Sequence, residues 1–247
     1  MTQPQQYRSI LLAGGRGTRL AHIHSDLPKP WIPVNGRPFI ETVLMQFARW
    51  GLDSFTLSVG HLADVVETWL ETSTTIPPDL EISLIVEDAP LGTGGAIADS
   101  WRRTAEGQPI VAANADCLLV TDLAPAFAAM DDETIDGVVV GRRVEDAARF
   151  GTLDIDDNGL LAGFREKIPG EGIINAGIYL LKPHLLADFA LVTPLSVEHE
   201  VFPEMISAGR RLAAVTVDGP FLDIGTPDTL AQAESFVQKH LHNEARS

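Results

Sequence analysis

The sequence predicts an α/β fold with a Rossmann-like, mainly parallel sheet flanked by helices. Short apolar runs, which are typical of buried strands, alternate with longer segments whose apolar residues recur at helical spacing. Glycine and proline lie at the boundaries between these segments, where helices begin and end. Such alternation favours a parallel sheet with helices on both faces. At 247 residues, the chain suits one large domain of this kind.

The elements of the first half follow from these two patterns. Apolar runs predict five strands, and apolar residues at helical spacing predict two helices between them. The predicted strands are 10–13, 55–59, 81–86, 109–113 and 137–141, and the predicted helices are 38–50 and 61–72.

The second half changes character after residue 141. Two short runs on either side of Asp156-Asp157-Asn158 predict a β-hairpin, which indicates an antiparallel insert. Near the end of the sequence, Thr226 can cap a helix that begins at Pro227. We expect that helix to turn Leu230, Ala233, Val237 and Leu241 inward.

The composition restricts the possible partners. A formal net charge of −16 repels nucleic acids and anionic membranes, so neither is expected to bind. A single cysteine excludes an internal disulfide and fits a reducing cytosol, which predicts a cytoplasmic protein. We expect no signal peptide and no membrane helix, because no apolar run reaches spanning length and the first six residues are polar.

The most informative stretch runs from Ile10 to Pro30. The first strand ends at a glycine pair, and the loop after it combines three glycines with a threonine and two arginines. Glycines let backbone N–H groups approach a phosphate, and guanidinium groups donate to phosphate oxygens. Lys29 lies between two prolines, which we expect to hold it in an extended segment. The candidate phosphate-binding residues are Gly14, Gly15, Arg16, Gly17, Thr18, Arg19 and Lys29.

Two common phosphate loops do not fit this stretch. The P-loop requires Gly-Lys-Ser/Thr, and no lysine follows these glycines before Lys29. The dinucleotide loop requires G-x-G-x-x-G, and Gly15, Gly17 and Leu20 do not satisfy it. The pattern that is present is G-G-x-G-T-R-L followed by P-K-P, and with it the chain resembles the sugar nucleotidyltransferases. Those enzymes join a sugar 1-phosphate to a nucleoside triphosphate and release pyrophosphate.

The resemblance implies the nucleotide-diphospho-sugar transferase fold in a single domain. It divides the chain into a nucleotide-binding half at about 8–141, a sugar-binding half at about 142–225 and a C-terminal helix at 226–241. A second glycine-rich turn, residues 87–96, resembles the family's segment that holds the nucleoside, although an ordinary strand-to-helix turn also explains it. The nucleotide-binding residues that the resemblance implies, besides the phosphate loop and Lys29, are Leu12, Ala13, Glu87, Gly92, Thr93 and Asn114.

Two aspartates match the family's metal ligands. Asp116 follows the strand at 109–113 in an N-x-D motif, at the sheet edge where open α/β sheets bind their ligands. Asp223 stands in a D-x-G-T motif. The resemblance implies that both bind Mg²⁺, which prefers oxygen ligands and often takes one or two carboxylates plus substrate phosphates. We interpret Cys117, directly after Asp116, as a small buried apolar residue.

The sugar-binding half carries the remaining family motifs. They are F-G, E-K, N-x-G and S-x-E, in that order along the chain. The implied sugar-binding residues are Gly151, Glu166, Lys167, Asn175, Gly177 and Glu198. An exposed ion pair is the alternative interpretation of Glu166 and Lys167.

The implied reaction is in-line attack of a sugar 1-phosphate oxygen on the α-phosphorus. A phosphate monoester is already an anionic nucleophile, so the protein has to position the reactants and neutralise charge. The residues that the resemblance assigns to catalysis are Arg16, Lys29, Asp116, Lys167 and Asp223. A regulatory module that binds a sugar nucleotide without catalysis is the alternative from another class.

The motifs are most similar to the branch that makes GDP-heptose for bacterial capsules or lipopolysaccharides from D-glycero-α-D-manno-heptose 1-phosphate and GTP. Mannose 1-phosphate guanylyltransferases and N-acetylmuramate 1-phosphate uridylyltransferases are the alternatives. Glu87 suits guanine, because a carboxylate can accept from the adjacent N1–H and N2–H₂ groups. A solvated residue at the strand end is the other interpretation of Glu87. The sequence leaves the oligomeric state open between monomer and homodimer.

Overall fold

A nine-stranded mixed sheet with helices on both faces forms the body of the protein. The computed structural model describes residues 3–15, 19–20, 22–148, 151–165, 169–187, 189 and 194–241. The strands are β1 Arg8–Leu12, β2 Pro33–Val34, β3 Arg37–Pro38, β4 Ser54–Val59, β5 Glu81–Val86, β6 Ile110–Asn114, β7 Cys117–Leu119, β8 Gly137–Val144, β9 Thr152–Ile155, β10 Leu161–Arg165, β11 Gly172–Leu181, β12 Leu212–Val217 and β13 Phe221–Asp223. The helices are α1 Phe39–Arg49, α2 Ala63–Thr72, α3 Gly92–Thr104, α4 Ala124–Met130, α5 Pro183–Ala187, α6 Phe202–Ser207 and α7 Pro227–Leu241.

The two faces of the sheet carry separate cores because successive side chains of a strand point to opposite faces. On β1, Leu11 packs into a core that includes residues of α1 and α7, and Ile10 packs into another that includes residues of α3 and α6. On β6, Ala113 packs into the same core as Leu11, and Ala112 packs into the same core as Ile10. This confirms the prediction of helices on both faces of the sheet.

The strand order places a topological switch point at β1. The chain runs outward from β1 to β4 and β5, and then returns to the other side of β1 as β6. These four strands are parallel, so the loops after β1 and β6 leave the same edge in opposite directions. Open α/β sheets bind their ligands in the crevice at such a point. Gly14 and Gly15 follow β1 here, and Asp116 follows β6.

The second half of the chain extends this sheet. The predicted hairpin forms as β9 and β10, and β11 pairs antiparallel with β6, β8 and β9. The antiparallel strands of the insert therefore continue the sheet of the first half and form no separate layer. The C-terminal helix begins at Pro227 as predicted, and the Thr226 hydroxyl accepts a hydrogen bond from the Thr229 N–H.

The conformation at Lys29 differs from the one predicted from the sequence. Lys29 was expected in an extended segment, but it begins a 3₁₀ turn that continues to Trp31, and only Pro28 is extended. The turn brings Pro30 and Trp31 into the core, and that packing accounts for the difference.

Within the described part of the chain, the helices are too short or too polar to cross a lipid bilayer.

Candidate active site

Asp116, Cys117 and Asp223 form a compact cluster at the carboxyl edge of β6. Asp116 lies in the turn between β6 and β7, and Cys117 begins β7. Strand β13 pairs antiparallel with β7, with Asp223 opposite Cys117. One Oδ atom of each aspartate and the Cys117 Sγ all lie within 4.8 Å of one another. Pairing of β7 with β13 therefore brings together two carboxylates from distant parts of the sequence.

The Lys29 ammonium contacts both carboxylates of this cluster. Its Nζ donates to Asp116 Oδ2 and lies 3.9 Å from Asp223 Oδ1. The exposed fractions of the three side chains are 17 % for Lys29, 26 % for Asp116 and 37 % for Asp223. Partial burial weakens screening by water, so the attraction between this ammonium and the two carboxylates is screened less than it would be at a fully exposed site.

The electrostatic surroundings favour protonation of Asp223. Burial raises the pKa of this carboxyl above its ordinary value, and the neighbouring charge of Asp116 raises it further. Lys29, the Gly225 N–H and Arg19 act in the opposite direction but do not cancel the shift. Burial, together with Asp116 and Asp223, also raises the pKa of the Cys117 thiol.

Gly225 leaves the space over Asp223 open. Its N–H donates to Asp223 Oδ1 at 2.6 Å, which fixes the orientation of the carboxylate. A Cβ at this position would lie 2.7 Å from Asp223 Oδ1 and 3.1 Å from Lys29 Nζ. Two half-buried carboxylates beside an uncovered space fit a divalent cation, because Mg²⁺ takes one or two carboxylates and fills its other positions with water or phosphate oxygens.

The predicted sugar-binding residues Asn175, Gly177 and Glu198 converge with Asn114. The Asn175 Nδ2 donates to Glu198 Oε1 at 2.5 Å, and its Oδ1 accepts from the Gly177 N–H at 2.9 Å. Gly177 has a φ of +69°, and a Cβ there would lie 2.7 Å from the Asn114 Nδ2. Glycine is therefore required by both conformation and space. Gly151 accepts a backbone hydrogen bond from Asn175, and a Cβ at Gly151 would lie 3.9 Å from Glu198 Oε2.

Glu87 reaches back over the first glycine loop. Its Oε1 accepts from the Ser58 hydroxyl at 3.1 Å, and its Oε2 accepts from the Leu91 N–H at 3.2 Å. A Cβ on Gly14 would lie 2.4 Å from Glu87 Oε1, so the carboxylate rests directly against this glycine. Burial raises the pKa of Glu87, and the two hydrogen bonds lower it by less. Glu87 is thus held in one position beside Gly14, which disagrees with a fully solvated strand end.

Gly92 and Thr93 pack against the segment before α6. Gly92 has a φ of +71°, and a Cβ there would lie 2.4 Å from the Leu195 carbonyl oxygen. The Thr93 hydroxyl accepts from the Val197 N–H at 2.9 Å. These contacts connect the start of α3 to the π-helical turn Val197–Val201, which carries Glu198. The glycine-rich turn therefore joins the two predicted halves of the site.

Several predicted residues lie outside the part of the chain that the structure describes. They are Arg16, Gly17, Thr18, Glu166 and Lys167. In the described part of the same loop, Gly15 has open space around its Cα, and Arg19 is exposed and acts on the Asp223 carboxyl. Leu12 is the register partner of Asn114, and the Ala13 N–H donates to the Ser58 carbonyl. The loop and the N-x-D motif therefore start side by side.

Sequence reasoning missed three contributors to the site. Tyr179 accepts from the Asn175 Nδ2 at 2.8 Å, and Ser58 holds Glu87. Tyr179 is fully buried, and burial together with Glu198 raises its pKa. Cys117, interpreted as a buried apolar residue, is only half-buried, and its Sγ donates to Asp116 Oδ1 at 3.4 Å. Strand β11 has a β-bulge between Asn175 and Tyr179, which stands four residues later. Gly177, with its positive φ, is the one residue in the sequence that indicates this bulge.

A cavity of about 540 Å³ lies away from these residues. Its lining comes from α1, the β2–β3 hairpin, the loop around Thr75 and the end of α7. None of the residues predicted to bind nucleotide, sugar or metal that the structure describes lines it. The chemistry of the side chains, and not the size of a cavity, therefore locates the candidate active site.

A family model and the fold together define the class of this protein. The model described as "Nucleotidyl transferase" matches residues 8–240. The chain belongs to this family, and it is a sugar 1-phosphate nucleotidyltransferase. This confirms the resemblance inferred from the glycine loop, and the non-catalytic module is not supported.

Two characterised relatives and one solved structure are similar to this chain along most of its length. The D-glycero-α-D-manno-heptose 1-phosphate guanylyltransferase of Aneurinibacillus thermoaerophilus is 30 % identical over 234 residues, which cover 94 % of this chain and 99 % of the relative. The mannose-1-phosphate guanylyltransferase of Mycobacterium tuberculosis is also 30 % identical, over 93 % of this chain and 64 % of the relative. The crystal structure of HddC from Yersinia pseudotuberculosis complexed with GMP-PN has a TM-score of 0.80 and 28 % identity, covering 93 % of this chain and 98 % of that one.

Proposed function

We propose that this enzyme transfers GMP from GTP to D-glycero-α-D-manno-heptose 1-phosphate, giving GDP-heptose and pyrophosphate, with Mg²⁺ as the cofactor. The observation that carries the proposal is the convergence of Asp116, Asp223 and Lys29 at the switch point of the sheet. The heptose relative, which matches this chain along almost its full length, supports the choice of sugar. The GMP-PN complex of the structural neighbour supports the choice of base.

The chemistry at this site is neutralisation of charge. The sugar phosphate supplies its own anionic nucleophile, so no serine, cysteine or general base is required. Bound to Asp116 and Asp223, Mg²⁺ would neutralise charge on the reacting phosphates. The Lys29 ammonium adds a fixed positive charge beside the two carboxylates, and Arg16 and Arg19 add guanidinium donors from the glycine loop. The chain thereby concentrates its cations where a strongly acidic protein must accept a triphosphate.

The Asn175–Glu198 pair is the proposed sugar-binding element. The Glu198 carboxylate can accept from sugar hydroxyls while its Oε1 also accepts from Asn175. The Tyr179 hydroxyl accepts a hydrogen bond from the Asn175 Nδ2, so this amide has one defined orientation. Lys167 and Glu166, which follow the β9–β10 hairpin, complete the proposed set and bind the phosphate and hydroxyls of the sugar.

Glu87 is the proposed guanine-selective residue. Each of its oxygens accepts one hydrogen bond within the protein and keeps a second lone pair for a base N–H. Uracil would place carbonyl oxygens near this carboxylate and leave them without a donor, at a cost of about 1–3 kcal/mol for each unsatisfied group. This reasoning favours GTP over UTP, and therefore a guanylyltransferase over the uridylyltransferase alternative.

Mannose 1-phosphate is the second candidate substrate. The mannose relative is as similar in identity as the heptose relative, although this chain covers a smaller share of it. The two sugars differ in the substituent at carbon 6, so the discrimination depends on side chains near that position.

A substrate panel tests the proposal. Heptose, mannose, glucose and N-acetylmuramate 1-phosphates are each combined with GTP, UTP and dTTP in the presence of Mg²⁺, and pyrophosphate release is measured. We expect the highest kcat/KM for the heptose phosphate with GTP. A higher kcat/KM for mannose 1-phosphate than for the heptose phosphate would make mannose 1-phosphate the substrate. A higher kcat/KM with UTP than with GTP would refute the choice of guanine as the base. Asp223→Asn protein is the blank for phosphatase contamination.

A further inference from the structure

The turn that carries Glu198 takes a hydrogen-bond partner from a distant part of the chain. This π-helical turn, Val197–Val201, has a rare conformation that occurs frequently at functional sites. The first backbone N–H groups of a helical turn have no partner within it. The Val197 N–H donates at 2.9 Å to the hydroxyl of Thr93, which lies on α3 and 104 residues earlier in the sequence. Thr93 therefore supports a turn of the predicted sugar-binding half, although the resemblance assigned this residue to the nucleotide.

Two backbone hydrogen bonds lie beside this contact. The Leu195 N–H donates to the Leu91 carbonyl at 2.9 Å, and the Gly94 N–H donates to the Leu195 carbonyl at 2.8 Å. Together with the Thr93 contact, they join residues 91–94 to residues 195–197. Because Thr93 contributes through its side chain, a substitution can remove that contact and leave the two backbone hydrogen bonds in place.

The glycines on either side of Thr93 make room for the second segment. A Cβ at Gly92 would lie 2.4 Å from the Leu195 carbonyl oxygen, and a Cβ at Gly94 would lie 2.7 Å from the Val201 Cγ2. Gly92 also has a φ of +71°, which other residues rarely adopt. The G-T-G pattern therefore suits close packing against the sugar-binding half, besides the close approach of a nucleoside that the resemblance implies.

Burial makes the Val197 N–H sensitive to the loss of its partner. Val197 is only 1 % exposed, so without the Thr93 hydroxyl this N–H would remain away from water and unpaired. The turn would have to shift to satisfy it, and Glu198 is the next residue along the chain. Since the Glu198 Oε1 accepts from the Asn175 Nδ2 at 2.5 Å, such a shift would disturb the proposed sugar-binding pair.

We propose that Thr93 is a positioning residue for the sugar 1-phosphate, whose hydroxyl fixes the π-helical turn through the Val197 N–H and thereby holds Glu198 at the sugar. The inference rests on the sugar-binding role proposed for Glu198. It does not depend on which sugar or base the enzyme uses, and it requires no contact between Thr93 and the nucleotide.

Thr93→Val removes the hydroxyl and keeps the branched side chain. The assay is pyrophosphate release from the pair of substrates with the highest kcat/KM in the panel, with urea unfolding measured on each variant. Loss of one hydrogen bond should raise the KM for the sugar phosphate about 3- to 10-fold and leave the KM for the nucleotide within about twofold. Thr93→Ala, with a better helix former, should give the same rise, and Thr93→Ser should restore the wild-type KM.

Thr72→Val is the matched control for loss of a threonine hydroxyl. Thr72 is exposed on α2, and its hydroxyl donates to the Thr68 carbonyl at 2.7 Å. This variant should keep both wild-type KM values. A rise in the KM for the nucleotide in Thr93→Val, without a rise for the sugar phosphate, would assign Thr93 to the nucleotide and overturn the inference.

Glu198→Gln tests whether Thr93 acts through Glu198. This variant alone should raise the KM for the sugar phosphate, and adding Thr93→Val should raise it no further, because both changes affect the same contact. A wild-type KM in Glu198→Gln would refute the sugar-binding role and this inference with it. A raised KM in Glu198→Gln combined with a fully additive effect of Thr93→Val would overturn the inference alone and leave the proposed sugar-binding role standing.

Discussion

Gly225→Ala tests whether the position of the Asp223 carboxylate controls turnover. The added methyl carbon would lie 2.7 Å from Asp223 Oδ1, about 0.7 Å inside the 3.4 Å at which ordinary van der Waals contact begins. It would also lie 3.1 Å from Lys29 Nζ. Both of these atoms end flexible side chains, so the carboxylate and the ammonium should move while the backbone remains in place.

The expected loss follows from the size of this displacement. A misplacement of about 1 Å at a reacting centre can cost about 10²-fold in rate, so a shift of about 0.7 Å should lower kcat by about 10- to 100-fold. The free energy of unfolding should change by no more than about 1 kcal/mol, because Gly225 is not in the left-handed region. The assay is pyrophosphate release at saturating substrates, with urea unfolding measured on the same preparation.

Gly163→Ala is the matched control. A Cβ at Gly163 has nothing within 4 Å, and its φ is likewise not positive. This variant should keep wild-type kcat. If Gly225→Ala also kept wild-type kcat, the Asp223 carboxylate would not need its present position, and the proposed cation site would lose its main geometric support.

The other predictions concern single groups of the site. Asp116→Asn should lower kcat by about 10²–10³-fold without unfolding the protein, and near-normal turnover would remove this carboxylate from the cation site. Glu87→Gln should reduce kcat/KM for GTP about tenfold and narrow its lead over UTP, whereas an unchanged GTP/UTP ratio would exclude Glu87 from base selection. Asn175→Ala should raise the KM for the sugar phosphate about tenfold, and a change confined to the KM for the nucleotide would contradict its placement. Because burial raises the pKa of Asp223, Mg²⁺ affinity should fall on acidification at a pH above the ordinary aspartate pKa, and a titration at that ordinary value would disagree. In the same window the folded state binds more protons than the unfolded state, so this group's contribution to stability decreases as the pH rises.

The parts of the fold that the sequence predicts are those with long periodic patterns. Strands β1, β4, β5 and β6 and helices α1 and α7 lie within about two residues of their predicted bounds, because each buries a continuous or periodic apolar set. Helices α4 to α6 are not predicted, since they have only five to seven residues, about two turns or fewer. The pairing of β11 with both β6 and β8 is also not predicted, because alternation in a strand identifies its buried face but not its neighbours.

The sequence predicts a set of candidate site residues but not how these residues are arranged in space. Asp116 and Asp223 are paired in the sequence only through the resemblance, and the structure brings them together through β7 and β13. The contact between Lys29 and both carboxylates has no local signal, because the 3₁₀ turn that positions it depends on burial of Trp31. Glu87 could be selected for its chemistry, but its contact with Gly14 depends on the parallel arrangement of strands.

Strand β13 and helix α7 complete the candidate active site. Strand β13 provides Asp223, the Gly225 N–H orients this carboxylate, and the hydrogen bonds between Thr226 and Thr229 then start α7. Helix α7 packs Ala233 and Val237 into the same core as Leu11 of β1, so it anchors β13 against the sheet that carries Asp116. A substitution that loosens α7, such as Val237→Ala, should therefore cost stability through the cavity that it leaves, about 1–2 kcal/mol for the two missing methyl groups, and should also weaken metal affinity. If metal affinity stayed constant while stability fell, Asp223 would be held by β7 alone, and the helix would not contribute to the site.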